Sequence, residues 1–73
     1  MQLIPIGSNQ TELLTERATV LFSYSTPVAA YVDGKYIRTG QSYSKTTSKH
    51  INRWLAGAQA KTVPQAELDA LFA

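Results

Sequence analysis

Seventy-three residues with no cysteine allow one small domain, residues 1–73, whose core is only marginally large enough to hold it together, and exclude a disulfide staple or a thiolate metal site. No apolar run approaches the roughly 20 residues that span a bilayer, and the opening MQLIPIG lacks the basic start and long apolar stretch of a signal peptide, so a soluble, cytoplasmic protein without membrane contact is expected. The net charge of +2 is small but segregated: Lys35, Arg38, Lys45, Lys49, Arg53 and Lys61 fall in residues 34–63, which contain no acid, with Glu12 and Glu16 before them and Glu67 and Asp69 after.

In chain order, residues 1–9 mix apolar side chains with Pro5 and Gly7 and read as an edge segment or arm. Residues 10–18 fit the start of a short helix or a strand, with strand preferred. Residues 19–24 alternate Val20, Phe22 and Tyr24 with Thr19, Leu21 and Ser23, a β-branched and aromatic strand pattern. Ser25, Thr26 and Pro27 then predict a turn, bulge or strand start, because proline has no amide to give to a ladder.

Residues 28–39 carry two β-prone runs around Asp33-Gly34, a pair that tolerates the positive φ angles of a two-residue type I′ turn. That turn sets a register: Val32 opposite Lys35, Tyr31 opposite Tyr36, Ala30 opposite Ile37, Ala29 opposite Arg38 and Val28 opposite Thr39. One face then holds Val28, Ala30, Val32, Ile37 and Thr39, suited to packing under a helix. Ala29, Tyr31, Tyr36 and Arg38 make an outer face that is aromatic and basic.

The run TTSKHINRWLAG predicts an amphipathic helix over residues 47–56, with Ile51, Trp54, Leu55 and Ala58 on one face and Thr47 one turn earlier. Ser44, Thr46 and Thr47 are candidate N-caps, and Gly57 suits a left-handed C-cap. The following AGAQAKT reads as a small-residue linker. Pro64 opens a second, shorter helix capped by Thr62 or Val63, with Leu68, Leu71 and Phe72 as its apolar edge; a helix of about ten residues has to dock to persist. The expected fold is α+β: an antiparallel meander of three or four strands, one face covered by the residue 47–56 helix. With so little core and an open strand edge, a homo-oligomer, most simply a twofold dimer, is expected.

The pattern FSYSTPVAAY, then a glycine and a tyrosine, then YSKTTSKHINRWL resembles a family of small proteins encoded by bacteriophages and other mobile elements. The resemblance covers residues 22–55. It implies a compact strand-then-helix domain expressed inside a prokaryotic host, and it brings no activity and no catalytic or binding residue with it.

An enzyme is not expected, since the chain offers one histidine, no cysteine and five carboxylates without recognisable pairing. His50 has the chemistry of a base or metal ligand, with Asp33 or a serine as partner, but a boundary histidine four residues before Trp54 more often stacks on it or hydrogen-bonds a carbonyl. One imidazole without thiolates predicts no metal site, and four scattered glycines form no phosphate loop or dinucleotide fingerprint, so no cofactor is expected.

Two mixed patches carry the functional expectation. Tyr31, Tyr36 and Arg38 resemble in composition the platforms on which unpaired bases stack, and Lys45, Lys49, Asn52 and Arg53 form a helical stripe suited to phosphates. Each has a plain structural reading beside it: tyrosine pairs stabilise hairpins, and a Lys/Arg stripe is often a solvated helix face. Together with the acid-free segment they predict weakly sequence-specific binding of single-stranded nucleic acid through Tyr31, Tyr36, Arg38, Lys45, Lys49 and Arg53. The competing expectation is a non-enzymatic module that binds a host or phage protein, because tyrosine and arginine are also favoured at protein interfaces.

Overall fold

The computed structural model describes residues 2–72, without the side chain of Phe72. Its strands are β1 (Gln2–Gly7), β2 (Gln10–Leu14), β3 (Ala18–Ser23), β4 (Thr26–Val32), β5 (Lys35–Thr39) and β6 (Ala60–Val63), and its helices α1 (Lys45–Leu55) and α2 (Gln65–Asp69), followed by a short 3₁₀ turn over Ala70–Phe72. The expected α+β class holds, but the strand count of three or four was too low. All six strands join one sheet in the order β1-β2-β3-β4-β5-β6, with β1 to β5 antiparallel and β6 parallel to β5.

Local chemistry accounts for much of the chain. Asp33 (φ 52°) and Gly34 (φ 77°) form the tight β4–β5 turn, and the pairing runs from Val32↔Lys35 through Tyr31↔Tyr36 and Ala30↔Ile37 to Ala29↔Arg38, the register expected from the turn. The Pro27 irregularity is a bulge: Leu21 pairs with Ala29 while Phe22 pairs with Pro27, leaving Val28 as the extra residue. On α1, Ser44 is the N-cap, its Oγ accepting from the Thr47 amide at 3.2 Å. At the other end Ala56 itself takes the left-handed cap (φ 51°), and Gly57, expected to be the cap, follows with φ 87°.

Two expectations fail for tertiary reasons. AGAQAKT is not simply a linker, because its end becomes β6, so β5, α1 and β6 make a strand–helix–strand crossover. Gly40 lies at that crossover: its amide bonds the Val63 carbonyl at 2.9 Å, and a Cβ there would meet the Thr62 methyl at 2.9 Å. The second failure concerns the hairpin face. Helix α1 packs on the Ala29 side of the sheet, with Leu21, Val28, Ala29, Ile51 and Leu55 buried together and Tyr36 and Trp54 against them.

The face expected to lie under the helix, Ala30, Val32 and Ile37, instead meets α2 and its flank, where Leu68 joins Leu13, Ala18, Val20, Ala30 and Val63, with Leu71 alongside. Val28 leaves that face because the bulge turns it to the α1 side. The sheet is thus covered on both sides, which is why neighbouring Val20 and Leu21 on β3 are both fully buried. Pro64 is the N-cap residue of α2 and makes no side-chain cap bond, so the helix starts at Gln65, one residue later than expected, and Thr62 and Val63, expected as its caps, end β6 instead. Leu68 and Leu71 form the apolar edge that the sequence indicates, while Phe72 lies outside the described side chains. No described helix is long and apolar enough to cross a membrane.

Candidate functional site

Helix α1 divides the expected site residues between two surfaces. Thr47, His50, Ile51 and Leu55 are its buried positions, so Lys45, Lys49 and Arg53, about 100° apart from that face or more by helical rotation, point outward and are exposed. Their spacing of four residues sets successive cations about 6 Å apart along the axis. The structure therefore brings these three together as a ridge.

Tyr31 and Tyr36 lie apart from them, whereas Arg38 reaches the same stripe through Asn52. All three lie on the sheet face beneath α1, beside its last turns. Tyr31 and Tyr36 are cross-strand neighbours with ring centroids 4.7 Å apart and planes tilted by 56°, and the Trp54 ring meets Tyr36 nearly perpendicular, at 5.8 Å and 81°. Tyr36 is half-buried between them, whereas Tyr31 keeps 41% of its surface exposed. Arg38 is half-buried as well, its Nη1 reaching the Asn52 Oδ1 at 3.4 Å. The outer platform expected from the hairpin is thus partly roofed by the helix.

Trp54 is anchored in turn by Glu12 of β2, whose Oε2 accepts from the indole Nε1 at 2.6 Å. Glu12, Thr19, Tyr31, Tyr36 and Trp54 together line a cleft of about 280 Å³. On the other side of Tyr36 a cleft of about 470 Å³ is lined by Gly34, Lys35, Tyr36, Gln59, Ala60 and Lys61. Glu12 could not be assigned from sequence because 42 residues separate it from Trp54. Lys61 becomes a neighbour of Tyr36 only through the β5–β6 pairing that sets Ala60 opposite that tyrosine.

Among the described residues, His50 neither stacks on Trp54 nor bonds a carbonyl. Its Nδ1 shares a hydrogen bond of 2.8 Å with the Ser23 hydroxyl, which also contacts Thr47 Oγ1 at 3.0 Å, and its ring neighbour is Tyr24 at 6.1 Å. All three polar residues are buried, Ser23 to 2% exposure, so the group reads as a polar tie between β3 and α1. Ser23→Ala should cost about 1–3 kcal/mol, since it leaves buried acceptors and donors on His50 and Thr47 without their common partner. Denaturant unfolding checks this; a midpoint equal to that of the parent protein would show that the tie is dispensable.

A family model described as "Family of unknown function (DUF8033)" matches residues 1–70. No curated protein and no solved structure matches the chain.

Proposed function

We propose, for a chain that belongs to this family of unknown function, that it is a non-enzymatic nucleic-acid-binding protein acting in the cytoplasm of a prokaryotic host, as the resemblance to phage-encoded proteins implies. The observation that carries the reading is the outward ridge of Lys45, Lys49 and Arg53 on α1. These cations are fixed in line by the burial of the opposite helix face and stand within a segment free of acids, the arrangement that suits contact with successive phosphates. Phosphate contact carries no base information, so binding should be weakly sequence-specific. The stacking residues that would favour single strands lie on the other surface beside Glu12, whose charge opposes a phosphate there. The ridge is accordingly assigned the affinity, and Tyr31, Tyr36 and Arg38 a minor share.

Lys49→Ala should weaken binding to labelled single-stranded DNA or RNA and flatten the slope of log affinity against log salt by about 0.7, the loss of one phosphate contact. Fluorescence polarisation at about 50 mM salt, where electrostatic attraction is only weakly screened, checks it. No polarisation change with the folded parent protein at tens of micromolar would rule the proposal out.

A second reading, a self-associating module that binds a host or phage protein, is favoured by the β1–β2 hairpin. Leu3 is 66% and Ile6 42% exposed, and β1 is an uncharged edge strand. Pro5 and the irregularity between Pro5 and Gly7 limit pairing along that edge, so the contact would rest on side chains. Association through apolar side chains would change little with salt, in contrast to phosphate binding.

A further inference from the structure

We infer that the cleft between Tyr31, Tyr36 and Trp54 is a binding site for an organic cation, a quaternary or alkylated ammonium group. Three aromatic rings border it, and they are not parallel: Tyr36 and Trp54 meet at 81° and Tyr31 and Tyr36 at 56°. The rings pack against one another, with centroids 4.7 Å apart for Tyr31 and Tyr36 and 5.8 Å for Tyr36 and Trp54, and all three line the cleft. The negative face of an aromatic ring attracts a cation within about 6 Å of its centroid, and tryptophan does so most strongly.

The only carboxylate in the lining is Glu12, and the lining contains no basic side chain. One Glu12 oxygen is engaged by the indole N–H. That bond holds a negative charge at the wall of the cleft, where it adds Coulomb attraction for a cation and repels an anion. Besides Glu12 the lining residues are Thr19 and the three aromatics, so the cleft offers ring surface together with polar groups, a mixture that suits a cation carrying methyl groups. The cleft, at about 280 Å³, is open at Tyr31, giving a ligand a way in. The site is distinct from the α1 ridge and does not depend on the nucleic-acid reading.

The chain has one tryptophan, so its emission reports on this cleft directly. Titration with tetramethylammonium, with choline and with a short peptide carrying trimethyllysine should give a saturable change in that emission. The carbon isostere of choline, with a tert-butyl group in place of trimethylammonium, should give none. Glu12→Gln, which keeps an acceptor for the indole, and Tyr31→Ala, at an exposed position, should each weaken binding roughly five- to tenfold with the far-ultraviolet circular dichroism unchanged. Lys49→Ala should leave it unaffected. A peptide bound at least tenfold more tightly than choline would place the cation on a protein side chain, and equal affinities would place it on a free small molecule; both support the site. An unsaturable response from the folded protein, or an equal response to the neutral isostere, would overturn it, as would quenching by an oligonucleotide but by none of the cations.

Discussion

Leu21→Ala is expected to destabilise the protein by about 2–5 kcal/mol, the range for removing a fully buried leucine and leaving part of its volume empty. Leu21 has no exposed surface and lies on the central strand β3, opposite Glu12 on one side and Ala29 on the other, under Ile51 and Leu55 of α1. Ala29, its cross-strand partner, is too short to fill the space left behind. Small domains have total stabilities near the low end of about 5–15 kcal/mol, so the loss should leave a large unfolded fraction at 37 °C. Thermal unfolding followed by circular dichroism measures it. A midpoint within a degree or two of the parent would mean that α1 does not pack on the Ala29 face.

The second large effect should come from the opposite face. Leu68 is fully buried among Leu13, Val20, Ala30 and Val63, yet it belongs to a helix of only five residues. Such a helix has no independent stability and persists only while docked. Leu68→Ala should cost a similar 2–5 kcal/mol and, in addition, raise protease sensitivity within residues 64–72 before the rest of the domain unfolds. The comparison with Leu21→Ala is informative because that variant should open the whole chain in one step. Cleavage of Leu68→Ala spread evenly along the chain would show α2 to be part of the same cooperative unit, and an unchanged midpoint would show it contributes nothing.

The candidate site was legible in parts that follow from local spacing. Lys45, Lys49 and Arg53 were placed on one exposed helix stripe by periodicity, and the structure keeps them there. Tyr31 and Tyr36 were placed opposite each other by the Asp33-Gly34 turn, and they are. What periodicity did not supply was which surface those tyrosines share. Helical spacing alone predicts Trp54 to be core, but it stands half-buried at the cleft, held by Glu12 from 42 residues earlier in the chain. Helical spacing sets His50 beside Trp54, but its hydrogen-bond partner Ser23 comes from β3.

Elements with short-range causes are legible in the chain: the β4–β5 turn and its register through the conformational tolerance of Asp33 and Gly34, and α1 through its apolar period and the Ser44 cap. Which face of the hairpin α1 covers depends on long-range packing. Both faces carry apolar residues, because this sheet is packed on both sides, so alternation along β4 and β5 cannot choose between them. The choice follows from β6, a four-residue strand too short and too rich in small and polar residues to be told from a linker. Once β6 lies parallel beside β5, the nearly universal right-handedness of strand–helix–strand crossovers assigns α1 to one side of the sheet, and α2 takes the other.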